Sequence, residues 1–194
     1  MADPRLTRAP AVFYYDLGSP AAYFAAERVV DALGRVPEFV PVRSVGLPDG
    51  EPPAFRCEHE ELAWREDVAR RALRLGLQAI RWPAAVPPDA ERALRVATFA
   101  KEIGRVVAFS LAAMRQAWAA GRDLSDPDTV LIAAAACEMH PAAVTRAWER
   151  PTIAARLDAA TAAAAAAGVR SVPAVRVGST VFHGEEALDA AAAA

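Results

Sequence analysis

Two short stretches of this sequence combine residue types and spacing in a way that could support chemistry. The first is YYDLGSPAAYF, residues 14–24, where an apolar run meets a helix-like pattern through a Gly18-Ser19-Pro20 corner. Ser19 has two readings there. Its side-chain oxygen can cap the helix, with Pro20 in the first turn. Alternatively, its hydroxyl can serve an anion gathered at the helix N-terminus, where unpaired backbone N–H groups and the helix dipole favour negative charge. The second stretch is GVRSVPAV, residues 168–175, in which Val172-Pro173 precedes a strand-like run. Proline cannot donate to a ladder, so at a strand start it marks an edge or a special turn. A cis Val172–Pro173 bond would present the backbone of Val172 to an extended ligand, much as a strand is added to a sheet.

Little else in the chain competes with these two. Cys57 and Cys137 are far apart, with no C-x-x-C, and are expected to be buried and inert. Three scattered histidines, His59, His140 and His183, offer no zinc spacing, so no metal is expected. The formal charge of −2 leaves no basic footprint for nucleic acid. The N-terminal residues lack a secretory apolar core and no run reaches membrane-spanning length, so a soluble cytoplasmic protein is expected. Tyr14, Tyr15 and Tyr23 read as core and rim aromatics. His183 reads as a surface histidine, and Arg43 as solvated rather than bound to an anionic substrate. The proline-bearing loop 48–56 is expected to line the mouth of a site.

The elements that must position these stretches form a βαβ unit, an all-helical block and a ββα unit. Residues 11–16, AVFYYD, are continuously apolar, as in a strand covered on both faces. Tyr23, Ala26, Val30 and Leu33 then make a helical stripe, and Gly34 stops it. Residues 36–45 read as a second strand that Pro41 places near an edge. About a quarter of the chain is alanine, a composition that favours helix. Residues 58–76 carry Trp64, Val68, Ala72 and Leu75 on one face, with Glu61/Arg65 and Glu66/Arg70 paired at i,i+4. Helix resumes from Asp89 to about Gly121, divided near Gly104. Ser125 with Asp128 reads as a capping box, with Pro127 in the first turn. Helices follow at 141–149 and 151–167. Strands at 172–177 and 180–183 and a helix from about Glu185 complete the chain. The sum is one α/β unit, 1–56 with 168–194, holding a helical insertion at 57–167.

In order and with their gaps, these segments resemble the thioredoxin-fold family of DsbA-type disulfide oxidoreductases. Within it they are most similar to 2-hydroxychromene-2-carboxylate isomerases and kappa-class glutathione transferases. FYYDLGSPAAYFAAERV looks like that family's first strand, catalytic turn and first helix. REDVARRALRLGL and RQAWAAGRDLSDPDTV look like segments of its insertion, and AAAAGVRSVPAVRVGSTVFHGEEALD like its cis-proline, hairpin and last helix. The resemblance implies a thioredoxin-like α/β fold, a small-molecule substrate and a homodimer. It implies glutathione, or another low-molecular-weight thiol, as cofactor. Ser19 would be the catalytic hydroxyl donating to the thiol sulfur, beside Pro20. Val172, with Pro173 cis, would bind the cysteinyl backbone, and Gly184, Glu185 and Glu186 would meet the γ-glutamyl end. Where disulfide oxidoreductases carry C-x-x-C, this chain has Ser19-Pro20-Ala21-Ala22, so dithiol exchange there is unavailable. The chain also departs from the isomerases. Ala187 stands where an arginine is usual, there is no asparagine anywhere, and the only lysine, Lys101, lies far from the start of the insertion. Those losses keep open a non-catalytic binding module that retains the cis-proline edge, or a divergent oxidoreductase using Cys57 or Cys137.

Overall fold

The computed structural model describes residues 9–50, 53–184 and 187–194. Its centre is the strand β1 (Ala11–Tyr15), whose five residues are all buried. It is paired parallel to β2 (Glu38–Pro41) on one side and antiparallel to β3 (Ala174–Val177) on the other. A fourth strand, β4 (Thr180–His183), is antiparallel to β3, so the sheet order is β2-β1-β3-β4. Side chains alternate across β1. Phe13 and Tyr15 enter the main core with Phe39, and their rings meet that of Phe39 at 5.0 and 5.7 Å. Val12 and Tyr14 point to the opposite face and join Val40, Val42 and Ala174 in a smaller core. This is why β1 reads as unbroken apolar sequence: both faces of the sheet are covered.

The helix α1 (Pro20–Leu33) crosses from β1 to β2. It ends where Gly34, at φ 62, takes a left-handed C-cap and its N–H bonds the Asp31 carbonyl. The second strand is shorter than its sequence pattern. It ends at Pro41, on the sheet edge, and the chain then turns through a 3-10 segment, Ser44–Gly46. Between β2 and β3 lie α2 (Glu58–Arg74), α3 (Glu91–Glu102), α4 (Val106–Met114), α5 (Pro127–Ala135), α6 (Pro141–Glu149) and α7 (Pro151–Ala166). The C-terminal half of α7 returns to the sheet, where Ala160, Ala164 and Ala165 pack on the smaller core. A short helix, α8 (Ala187–Ala193), closes the main core against α1 through Leu188 and Ala191. The architecture is the α/β, thioredoxin-like βαβ…ββα arrangement with helices interposed.

Local chemistry corrects three sequence expectations. The α5 cap is Asp126, not Ser125: its carboxylate accepts from the Asp128 N–H at 3.1 Å and the Thr129 hydroxyl at 3.1 Å, taking over the role assigned to the serine. On α2, Glu61 and Arg65 pair as expected at 2.6 Å, but Arg70 turns to Asp67 at 3.6 Å rather than to Glu66. The two thiols differ as well. Cys137 is buried, whereas Cys57 is exposed because it stands outside α2, at its N-cap.

Two buried hydrogen bonds join the helices to the sheet. Tyr15 and Ser110 share one at 2.5 Å, and the Trp118 indole N–H donates to the Leu17 carbonyl at 3.1 Å. Trp118 lies in a π-helical turn, Arg115–Ala119, that continues α4. The wider π turn re-aims one side chain relative to a regular helix. The aromatic cluster of Phe13, Tyr15 and Phe39 fills the space between sheet and helices. Phe39→Ala is therefore expected to cost about 3–5 kcal/mol in urea unfolding, and a loss well below that range would mean that the cluster does not hold β2 to the core.

Candidate functional site

The turn between β1 and α1 is built around a buried carboxylate. Asp16, 7% exposed, follows β1 directly. One of its oxygens accepts from the Gly18 N–H at 2.9 Å, and the other from both the Ser44 N–H and the Ser44 hydroxyl at 2.8 Å. Its main-chain carbonyl accepts from the Ser19 N–H at 3.2 Å. Asp16 thus fixes the turn to the chain leaving β2. Burial pushes its carboxyl up, against the pull of the three donors from Ser44 and Gly18.

On this turn Ser19 has extended backbone angles and caps α1, its Oγ accepting from the Ala22 N–H at 3.2 Å. The capping reading is therefore realised, and it leaves the other one open. A hydroxyl has one donor and two acceptor lone pairs. The cap uses an acceptor only, and the Ser19 hydroxyl donates to no other group among the described residues. Ser19 also faces a cavity of about 500 Å³, within the usual range of ligand pockets.

The cavity gathers residues from opposite ends of the chain. Ser19, Pro20 and Val172 all line it. The Val172–Pro173 bond is cis, and neither the N–H nor the carbonyl of Val172 has a hydrogen-bond partner among the described residues. Pro173 is buried behind Val172, and its carbonyl accepts from the Gly184 N–H at 2.9 Å. Gly184 is thus adjacent to the site but does not line the cavity. Glu185 and Glu186 fall outside the described residues.

The opposite wall comes from the interposed helices and the segment before α3. A Cβ on Gly18 would lie 3.2 Å from the Pro88 carbonyl oxygen, so segment 86–90 presses closely on the turn and would have to give by a few tenths of an ångström to admit a side chain. Phe24, Trp64, Val68, Leu94 and Trp118 supply the apolar part of the wall. Trp82 packs between Trp64 and Trp118, tilted against the first at 5.2 Å between ring centroids and edge-on to the second at 6.0 Å, and the Arg65 guanidinium lies 5.0 Å over the Trp82 ring. The loop expected at the mouth does line it, through Asp49, Gly50 and Pro53.

The polar rim corrects the expectation of a solvated Arg43. Its side chain is 19% exposed and held from two sides. Its Nε and Nη2 make a bidentate pair with Glu91, both contacts at 2.7 Å, and its Nη1 reaches Asp158. Glu91 also accepts from Arg95 at 2.7 Å. The Arg43 hydrogen bonds hold the Glu91 carboxyl down at about 2. Across the mouth Asp49 pairs with Arg170 at 2.6 and 2.8 Å, which lowers the Asp49 carboxyl. The Arg170 N–H donates to His183 Nε2 at 3.0 Å, so His183, though exposed, braces the segment that leads to Val172.

Sequence reasoning found Ser19, Pro20 and Val172 but missed Asp16, Ser44, Trp64, Trp118 and Glu91 as wall residues. Asp16 had a faint signal, an acid directly after a buried strand. The others carry none, because their helices meet the turn only in the folded chain. Among the described residues no group of three or more His, Cys, Asp or Glu side chains could hold a metal, and no helix is long and apolar enough to cross a membrane.

The four-stranded sheet with its βαβ and ββα units and the interposed helices defines a thioredoxin-type protein. The DSBA-like thioredoxin domain matches residues 11–194, and the chain belongs to that family. Among solved structures it is similar to a 2-hydroxychromene-2-carboxylate isomerase, with a TM-score of 0.80 and 18% identity over 92% of this chain and 90% of the other. It is similar to a probable DsbA oxidoreductase from Streptomyces coelicolor, with a TM-score of 0.76 and 19% identity over 95% of this chain and 88% of the other. A cytosolic disulfide reductase, DsbM, from Pseudomonas aeruginosa, solved with glutathione, has a TM-score of 0.58 and 13% identity over 89% of this chain and 87% of the other. No curated protein matches the chain.

The Arg43–Glu91 pair has a consequence for acid stability. Because the folded Glu91 carboxyl lies below its ordinary value of 4.5, its stabilisation is complete above that value and is lost as pH falls toward about 2. Glu91→Gln is expected to flatten the fall in unfolding free energy across that window. Equal slopes for the wild type and the variant in denaturant titrations would contradict the pairing.

Proposed function

We propose that this protein is a thiol-dependent isomerase or transferase of the 2-hydroxychromene-2-carboxylate isomerase type, taking glutathione or another low-molecular-weight thiol. The observation that carries the reading is Ser19, a capping hydroxyl whose hydrogen is uncommitted and which opens onto a cavity at a helix N-terminus. The residues present fit a thiol cofactor at two points. The Ser19 hydroxyl is placed to donate to a thiolate. The unpartnered N–H and carbonyl of Val172 suit the peptide portion of such a cofactor, as one added strand pairs with an edge. The fit is weaker at the γ-glutamyl end, where Ala187 replaces the family's arginine.

When bound, the thiol supplies a sulfur nucleophile that adds reversibly to an unsaturated carbonyl carbon. The C–S bond forms and later breaks, with no net change of oxidation state. The chain's part is positioning and charge stabilisation. The Ser19 donor and the first-turn N–H groups of α1 favour the anionic sulfur over the neutral thiol, and Asp16 holds them in register. Trp64, Trp118, Phe24 and segment 86–90 exclude water and hold a flat apolar molecule against the turn.

Disulfide exchange is the less favoured activity. The turn has no cysteine, Cys57 is not a wall residue, and burial pushes the Cys137 thiol up and away from the reactive thiolate form. A homodimer acting on a small molecule in the cytoplasm accompanies the proposal.

Two substitutions separate the roles of Ser19. Ser19→Ala removes the cap and the donor, and is expected to cost about 1 kcal/mol of stability and to weaken glutathione binding by roughly tenfold or more. Ser19→Asp keeps the cap but removes the hydroxyl donor and adds a negative charge. It should retain stability and lose thiol binding. Calorimetric titration alongside urea unfolding reads both effects. Undiminished binding in Ser19→Asp would rule out the thiol-donor role.

A further inference from the structure

We propose that the cavity selects an uncharged carbonyl compound and rejects the corresponding carboxylate. The proposal rests on reading the cavity as the thiol-dependent site; it keeps the isomerase or transferase chemistry but departs in substrate from the similar isomerase, which is named for a carboxylate. The argument begins with the cations of the wall. Among the described residues, two basic side chains line the cavity, Arg43 and Arg71. Arg43 has all three guanidinium nitrogens engaged by carboxylates, two on Glu91 and one on Asp158. Arg71 is paired with Asp67 at 2.8 Å through one nitrogen and 2.9 Å through another. A substrate carboxylate entering the cavity would have to displace one of these internal partners.

The acids point the same way. Among the described residues Asp16, Asp49, Asp89 and Glu91 also line the cavity, with Asp49 held by Arg170 and Glu91 by Arg43 and Arg95, so the guanidiniums around the site are already matched by internal carboxylates. Burial favours the protonated form of Asp16, which leaves Asp89 as a lining carboxylate with no guanidinium partner among the described residues. Like charges placed face to face in a partly desolvated site are strongly unfavourable. The remaining wall is aromatic and aliphatic, with Trp64, Trp118, Phe24, Val68 and Leu94 turned toward the same space. An uncharged ring bearing a carbonyl gains that burial and meets no charge penalty.

Glu91 is the specificity-determining residue in this arrangement. It occupies the two Arg43 nitrogens that best match a carboxylate in bidentate geometry. Neutralising it frees those donors while leaving the apolar wall intact.

The test uses the full-length chain, no thiol, and two unreactive probes that differ by one group. These are 4-phenylbutan-2-one and 4-(3-oxobutyl)benzoate, saturated ketones that cannot alkylate Cys57. Binding is read at neutral pH by quenching of tryptophan fluorescence, which Trp64 and Trp118 report from the wall, and by ligand-observed NMR. The neutral ketone is expected to bind at least about tenfold more tightly than the benzoate. In Glu91→Gln the benzoate should gain affinity by several-fold while the neutral ketone changes little. Equal or tighter binding of the benzoate by the wild type overturns the proposal, as does failure to bind the neutral ketone. A gap unchanged in a folded Glu91→Gln removes Glu91 from the account. If that variant does not fold, the wild-type pair alone decides. Because no thiol is present, absence of glutathione binding would defeat the proposed activity without touching this result.

Discussion

The site depends on the satisfaction of one buried carboxylate. Asp16 is carried out of water at the end of a strand covered on both faces, and an unpartnered charge there would be costly. The structure answers with three donors from two separate segments, Gly18 in the turn between β1 and α1 and the N–H and hydroxyl of Ser44 beyond β2. Satisfying Asp16 therefore fixes the distance between the first helix and the edge of the sheet. Ser19 inherits its position from that constraint, because its own N–H bonds the Asp16 carbonyl. A rigid turn of this kind is what a hydroxyl needs if it is to meet a ligand without being reordered first.

The second constraint is closure. A four-stranded sheet with α1 alone would leave the turn open to solvent on one side. The helices between β2 and β3 cover it, and they are attached at defined points: Trp118 to the Leu17 carbonyl, Tyr15 to Ser110, and the Pro88 segment packed against Gly18. The Arg43, Glu91 and Asp158 network adds a polar clasp joining the chain after β2 to α3 and α7. A cavity results whose one side is polar backbone and hydroxyl and whose other side is tryptophan. Such walls bind by burying flat apolar surface while a few polar groups set orientation.

The helix cap and the candidate catalytic hydroxyl were opposed readings of Ser19 in the sequence, and the fold dissolves the opposition. Capping consumes a lone pair, whereas assisting a thiolate consumes the hydrogen, so one side chain can serve both. The turn itself carries no cysteine: its four positions are Ser19, Pro20, Ala21 and Ala22. Thiol chemistry at this turn, as proposed above, would need its sulfur to arrive with a ligand.

Local sequence determined the elements for local reasons. The continuous burial of β1 follows from AVFYY, the start of α1 from Ser19-Pro20, its end from Gly34, and the break between α3 and α4 from Gly104. Each rests on backbone preference or on apolar spacing within a few residues, and these are readable without a partner. The pairing of Ser19 with Val172 was legible only through the ordered likeness to a family, since 153 positions separate them. Tertiary structure alone decided what faces those residues. Arg43 reads as solvated in sequence because nothing nearby opposes it; its partners Glu91 and Asp158 arrive from α3 and α7. Trp118 is one more helical aromatic until the π turn and the Leu17 carbonyl aim it at the turn between β1 and α1. Side-chain charge and shape are written in the chain, but which charges neutralise each other is set by distances that only the packed fold creates.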